Sequence, residues 1–570
     1  SPVTFASSDS TAFVLGGSGG LRRRDQGATG TWVGLAIVAA LVALPLKGLY
    51  RFTGGTMEEG FMLYFPQRMW KGDVPNVDFL HLYGPGALHV LMGWYKVFGD
   101  TLFAERTFGL LQHVGIILGL FALARPWGRV SATAVASLSA FYILTPIGLS
   151  AMAWNGGLAL TLWSAVFVVR GLSLDDPKRQ RMAWFSGAAL AGFALTYRPD
   201  LAIAIGLVFG WLVVARSQSR RDVVVGGLVG LVPMWVHIVM AGPGPSFRGM
   251  FVDPVFHLRA GRELPRPPSW DKLDGALQAI AETAPPWWEF PHLRASNAIF
   301  LWFFAMLIGT AMLLAFAIWQ RRAVVDGRTT ALLVVAFVSL GILPQALQRP
   351  DSTHLTWVTC ISWPFAIVAV ADVVRRTAPR VSARAALSIG AALALVLTFT
   401  LTSLFTFRYY VLHTRVGLGY VHGTFEVHRE GRAFYFGSPR AALASQQVVD
   451  ELDAILGRLP NPGGRLFVGP TDLSRTRYSD VIFYWMFPEL DPATYYIEMD
   501  PGLADTRGSR LADDLLTADW VILTSFWAGW NEPNSSMDYG SPEPNEIIDR
   551  HFCMRREYQG GLVRLYYRCR

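Results

Sequence analysis

Two adjacent carboxylates, Glu58 and Glu59, stand a few residues beyond an apolar run, Thr31 to Leu49. A carboxylate at the edge of hydrocarbon has to be solvated, paired or put to use. The residues that follow are polar and turn-rich: Gly72-Asp73-Val74-Pro75, Asp78-Phe79, His81 and Tyr83-Gly84-Pro85-Gly86. An acid so placed can take a proton from an attacking hydroxyl, and cations on the same side can hold a departing phosphate. Candidate cations stand at the ends of later apolar runs: Arg106, Tyr197-Arg198-Pro199-Asp200, and Arg349-Pro350-Asp351 with His354. Arginine, acid and histidine crowded at that depth are costly unless paired or facing water. A guanidinium also offers a phosphate two parallel hydrogen bonds.

Each candidate has a plain structural alternative. Glu58 and Glu59 can be solvated helix-end acids, and Asp78 a turn acid. His81 and Tyr83 can be ordinary loop residues, and Arg349 with Asp351 an ion pair that caps a turn. Gly84-Pro85-Gly86 reads as a rigid turn leading to the next helix. It lacks the basic residue and helix start of a nucleotide loop.

The elements that must position these groups are membrane helices. The chain has 570 residues, 52% hydrophobic and only 16% charged, where a soluble protein carries nearer a quarter charged. Its apolar residues lie in runs long enough to cross a bilayer, nearly all before Phe405. The spans expected are 31–49, 104–123, 130–149, 156–170, 183–197, 201–215, 223–241, 297–319, 329–347, 355–374 and 384–405. Segment 86–99 is too short to cross comfortably and is expected to be re-entrant or interfacial. If it does cross, the sidedness of everything after it inverts. Residues 1–30 form a Ser/Gly-rich tail containing Arg22-Arg23-Arg24, and Thr31–Leu49 reads as a retained helix because no small-residue cleavage site precedes it.

Short arginine-bearing connections alternate with the others: Arg125 to Arg129, Lys178 to Arg181, Arg216 to Arg221, Arg321 to Arg328 and Arg375 to Arg384. By the positive-inside rule these are cytoplasmic. The loops 50–103 and 242–296 and everything after 405 are then outside. The net charge of +8 sits largely in these topogenic loops, so nucleic acid is not a partner; the membrane lipids are. Arginine far outnumbers lysine, as in a high-GC bacterial genome, which suggests a bacterial cytoplasmic membrane.

The acidic pair followed by Gly60, together with the Gly-Asp-Val-Pro, Asp78-Phe79 and Tyr-Gly-Pro-Gly elements, resembles the first outer loop of the GT-C membrane glycosyltransferases. The nearest resemblance is to bacterial members related to the protein O-mannosyltransferases. The turn Arg349-x-Asp351-x-x-His354 is similar to one in the same group. The resemblance covers residues 30–405 and does not extend to the region after them. It implies a polytopic α-helical membrane fold of about eleven helices and a polyprenyl-phosphate-sugar donor. It also implies Glu58 as catalytic base, with Glu59 raising its pKa by like-charge repulsion. Aspartate is usual at the first acid in that group, so the choice between Glu58 and Glu59 stays open. Asp78, His81, Tyr83, Arg106, Tyr197, Arg198, Asp200, Arg349, Asp351 and His354 are the substrate-binding candidates. Loop 242–296, with Arg248, His257, Arg259, Arg262, Glu263 and Trp287-Trp288, is expected to cover the donor. One base and direct displacement imply inversion. No cofactor is required and no metal site is indicated. The sugar, mannose or arabinofuranose, is open, as is the acceptor, a glycan, a lipid or a protein. The alternatives are a non-catalytic scaffold on the same fold and, more remotely, a transporter, for which no internal repeat is seen.

Residues 406–570 are expected to form an extracytoplasmic α/β domain. Helices are expected at Arg440–Leu459, Arg510–Ala518 and Asn545–Phe552, and strands at Arg465–Val468, Thr494–Ile497 and Trp520–Thr524 in a small parallel sheet. Acids follow two of these strands, at Asp472 and at Glu498-Met499-Asp500, which fits an acceptor-binding or scaffolding role. Cys553 and Cys569 stand at the ends of a hairpin around Gly560-Gly561. They form a disulfide or remain two thiols, and the sequence does not decide between these. Cys360, inside an apolar run, reads as an inert core residue.

Overall fold

The computed structural model describes residues 28–144, 148–268, 293–460 and 463–569. Trp287 and Trp288 lie outside these. Among the described residues seven helices are long and apolar enough to cross a membrane: Gly30–Leu49, Leu102–Trp127, Ala153–Leu172, Ala295–Ala323, Gly327–Gln348, Ser352–Thr377 and Ala383–Phe405. An eighth span results if Pro199–Ala215 and Ser217–Gly230, bent by 120°, count as one. The chain is a multi-pass membrane protein.

Among the described residues the count of eleven is not confirmed, for identifiable reasons. The expected span 130–149 is a helix only over Arg129–Ile143. Span 183–197 lies in a longer helix, Pro177–Tyr197, whose first turns carry Lys178, Arg179 and Arg181. Span 223–241 is broken at Leu231, where Pro233 restarts the helix as Val232–Ala241. Gly86–Phe98 is one helix of 13 residues, roughly 20 Å long and short of the hydrocarbon thickness.

Between Leu49 and Gly86 the chain forms the helix Glu58–Lys71. Its two acids sit in the first turn, where they complement the helix dipole, and Gly72 ends it in the left-handed conformation at φ 106°. Phe61 to Phe65 are buried without exception. Their partners come both from the first loop, where Phe61 meets Tyr83 and Phe65 meets Phe79, and from the far end of the sequence, where Tyr64 stacks on Tyr484. The helix packs on Ile482–Met486, and a Cβ at Gly60 would lie 2.7 Å from the Ile482 nitrogen, so only glycine permits this approach.

The C-terminal part departs from the expected parallel sheet. A hairpin comes first, β1 (Phe425–Arg429) and β2 (Arg432–Phe436), turned at Glu430-Gly431 with both residues at positive φ. A five-stranded sheet follows, built of β3 (Arg465–Pro470), β4 (Asp491–Pro492), β5 (Trp520–Thr524), β6 (Phe552–Tyr558) and β7 (Val563–Arg568). The order is β4-β3-β5-β7-β6, parallel among the first three and antiparallel among the rest. Thr494–Ile497 is not a strand. The Tyr495 nitrogen donates to Asp514 and its carbonyl accepts from Leu80 of the first loop, so its backbone groups are spent outside any ladder. The helix expected at Arg510–Ala518 shortens to Leu511–Leu515. Cys553 and Cys569 are bonded, with Cα atoms 5.3 Å apart.

Two main apolar cores result. One lies within the helix bundle. The other joins Phe61, Phe65, Phe79 and Leu88 to Val448, Ile482, Trp485 and Leu565 across both parts of the chain.

Candidate active site

The two acids that sequence left interchangeable have different fates. Glu59 is buried and bidentate with Arg106, Nε to Oε1 and Nη2 to Oε2 each at 2.8 Å. Arg106 spends Nη1 on the carbonyls of Leu49 and Tyr50. Four of the five Arg106 N–H groups are thus taken by the protein, which argues against the phosphate-binding role expected of it. Glu58, one residue earlier, is only half-buried and has no ion-pair contact among the described residues. Burial pushes its carboxyl up from the ordinary range and the Glu59 charge adds to this, while Arg262 and Arg349 oppose it.

Facing Glu58 is a cluster that gathers at one end of the helices. Arg349 donates Nε to Asp351 (2.8 Å) and Nη1 to the Arg262 carbonyl (2.8 Å), and it holds both oxygens of Glu532. Asp351 caps the helix Ser352–Thr377 by accepting from the His354 nitrogen (2.9 Å), and it also meets the His354 ring at 2.8 Å. Arg198 is bidentate with Asp200 and touches Gln345, one turn before Arg349. The Arg198 cation lies 4.8 Å from the centre of the Tyr83 ring. Burial pushes the Tyr83 phenol up to about 12, so it stays a neutral donor.

Three of the expected residues stand apart. Asp78 is an exposed turn acid that accepts from the Val74 nitrogen at 2.7 Å. His81 is fully buried behind Tyr83, its ring edge-on to Phe65 and Tyr83. Tyr197 is buried, and its carbonyl anchors the first loop through the Gly84 nitrogen at 3.1 Å. That contact requires Gly84, because a Cβ there would sit 2.0 Å from the Thr196 carbonyl oxygen.

Sequence reasoning missed most of the rest of the cluster. Arg262, named only as part of a loop, donates Nη2 to Asp500 at 3.2 Å and stacks over Tyr478 at 4.3 Å. It is the less committed of the two arginines that act on Glu58. Glu532 and Tyr478, which no sequence signal marked, come from the C-terminal part, as do Glu498 and Asp500, which the sequence did mark as acids at an expected strand end. Glu532 is buried, and Arg349 holds its carboxyl below the ordinary range despite that burial. A further link anchors the chain two residues before Glu58: Thr56 donates to buried Asp480, which also accepts from Thr524 and from the Trp527 indole. No group of three or more His, Cys, Asp or Glu among the described residues is arranged to hold a metal ion.

No protein-family model matches the chain, and no curated protein matches it. Solved structures do. ArnT from Cupriavidus metallidurans bound to undecaprenyl phosphate is 13% identical, with 95% of this chain and 98% of that one covered at a TM-score of 0.50. The archaeal oligosaccharyltransferase AglB from Archaeoglobus fulgidus, in complex with an inhibitory peptide and a dolichol-phosphate, is 11% identical. There the coverage is 93% and 80%, at a TM-score of 0.48. The chain therefore shares its fold with ArnT over nearly the whole length of both. Its C-terminal sheet region belongs to the same structural match.

Proposed function

We propose that the protein is an inverting glycosyltransferase that moves a sugar from a polyprenyl-phosphate donor to a cell-envelope acceptor. The observation that carries this is a half-buried Glu58, unpaired among the described residues, facing Arg262 and Arg349 at one end of the bundle. The structural neighbour that holds undecaprenyl phosphate supports the donor class. The arginine-bearing connections, read by the positive-inside rule, support a site on the outer face of a bacterial cytoplasmic membrane. The membrane part is then 31–405 and the outer part 406–570.

The acceptor hydroxyl attacks the anomeric carbon from the side opposite the phosphate. Its proton passes to Glu58 as the new C–O bond forms. The bond to the phosphate oxygen breaks, and its electron pair leaves with polyprenyl phosphate, whose charge Arg262 and Arg349 neutralise. Glu59 holds Arg106 and the start of the helix in place. Because Glu532 already occupies Arg349, the phosphate must displace that carboxylate, whereas Arg262 has N–H groups to offer at once.

The saturated state of Arg349 favours one second reading, a scaffold that binds no donor. Purified full-length protein in nanodiscs separates the two. The enzyme reading expects undecaprenyl phosphate to bind, Arg262→Ala and Arg349→Ala to weaken it, and sugar to be transferred from decaprenyl-phosphoryl mannose or arabinofuranose. A wild-type protein that binds no undecaprenyl phosphate refutes it.

A further inference from the structure

Between the expected strand end and the first loop, the segment Glu498-Met499-Asp500 turns back toward Glu58. Met499 holds φ at 56°, a conformation that side chains rarely adopt, and the two flanking carboxyls are brought together. Both are buried, at 4% and 2% exposure. Oε1 of Glu498 and Oδ2 of Asp500 have no hydrogen-bond partner among the described residues. Buried polar oxygens are satisfied in the great majority of folded proteins, so two in adjacent positions call for a ligand. Their surroundings are those of the candidate active site. Glu498 feels the charges of Arg262 and Glu58, and Tyr83 feels both acids. The other Asp500 oxygen accepts from Arg262 at 3.2 Å.

We infer that Glu498 and Asp500 form the acceptor subsite and take two neighbouring hydroxyls of a sugar, which makes the acceptor a glycan. The inference rests on the transferase reading above.

The protonation of the pair suits a diol. Burial raises Glu498 well above the ordinary carboxylate range, and the charge of Asp500 adds to it. Asp500, also raised by burial, is opposed by Arg262 and is the more acidic of the two. Of the two, Glu498 therefore holds a proton more readily. One member then donates a hydrogen bond and the other accepts, and a vicinal diol offers the complementary set. The arrangement also disfavours an ammonium-bearing acceptor, because Arg262 already pairs with Asp500 and burial opposes the charged form of Glu498. Arg262 joins the acceptor and donor sides: it donates to Asp500 at 3.2 Å, and its carbonyl accepts from Arg349, which stands at the end of the helix Gly327–Gln348.

Saturation-transfer NMR on full-length protein in nanodiscs tests this with a set of octyl glycosides of mannose, glucose, galactose and arabinofuranose. An octyl ether lacking a sugar and a serine peptide serve as controls. Wild type should saturate at least one glycoside and neither control. Glu498→Gln and Asp500→Asn should weaken that glycoside about tenfold, the loss of a hydrogen bond to a charged or buried group. Undecaprenyl phosphate binding should be unchanged in Glu498→Gln. The inference is overturned if both variants bind the glycoside as wild type does, or if wild type saturates no glycoside. It is also overturned if Glu498→Gln loses undecaprenyl phosphate, which would assign the acids to the donor. Intact undecaprenyl phosphate binding alongside a failed glycoside result leaves the transferase reading standing, so the two failures are distinguishable.

Discussion

Replacing Glu58 and Glu59 one at a time by glutamine separates chemistry from architecture within two adjacent residues. Glu59 and Arg106 are both almost wholly buried, and each carboxylate oxygen accepts from the guanidinium at 2.8 Å. Breaking such a pair by neutralising one partner leaves a buried cation and costs about 3–5 kcal/mol. Arg106 keeps the carbonyls of Leu49 and Tyr50, and the amide oxygen still accepts one bond, so Glu59→Gln should fall near the lower end, about 3 kcal/mol. Glu58 has no such partner among the described residues. Its glutamine variant should unfold at the wild-type temperature yet lose about 10²–10⁴-fold in transfer rate, equivalent to ~3–5 kcal/mol on the barrier. The assay pairs thermal unfolding in nanodiscs with transfer from a labelled lipid-phosphate sugar. Glu59→Gln should melt several degrees lower, with activity in the folded fraction at permissive temperature. The reasoning fails if Glu59→Gln melts like wild type and is inactive while Glu58→Gln transfers normally. The base would then be Glu59, released from Arg106 during the reaction.

Other outcomes follow from the same geometry. Glu532→Gln removes the competitor at Arg349 and should tighten undecaprenyl phosphate by about tenfold, the exchange of a charged for a neutral hydrogen bond; titration by intrinsic fluorescence reads it, and weaker binding would contradict a displaceable latch. Glu58 works as a base only when ionised and its carboxyl is raised, mainly by burial. The acid limb of transfer against pH should therefore lie above the ordinary glutamate range, with activity lost as pH falls through it, and Glu58→Gln should abolish that limb. Replacing Cys553 and Cys569 by serine opens a loop of sequence separation 16 and should cost the C-terminal part about 3 kcal/mol, seen as an earlier denaturant midpoint that reductant reproduces in wild type.

What the sequence showed depended on how local each signal is. Apolar runs such as Ala295–Ala323 announce themselves by length alone. Runs interrupted by Pro233, or carrying Lys178, Arg179 and Arg181 in their first turns, sum to an apolar average without forming one long apolar helix. The first loop was legible because its acids, glycines and prolines are adjacent. Its division of labour was not, because Arg106 lies 47 residues beyond Glu59 and nothing local says which acid it takes. The same holds more strongly for Glu532, which meets Arg349 across 183 residues, and for Asp480, which meets Thr56 across 424. Thr494–Ile497 has the residue types of a strand, but Asp514 and Leu80 capture its backbone groups, and a pattern of side chains does not reveal that. Arg262 was passed over because one arginine among several in a long loop carries no distinguishing spacing.

The contact between Gly60 and Ile482 has a consequence in time. The helix that carries the two acids is made early, and the chain that covers Phe61-Met62-Leu63-Tyr64-Phe65 is made on the order of 400 residues later. At ~5–20 residues per second, synthesis leaves that face only partly covered for ~20–80 s. During that interval Phe61 and Phe65 have Tyr83 and Phe79 of the first loop to lie against, whereas Tyr64 lacks Tyr484. The charge pair Glu59–Arg106 can close as soon as the helix beginning at Leu102 is in place. The first loop would then wait with its base mounted and its far wall still unmade, so the nascent protein gains a positioned acid long before it gains an enclosed site.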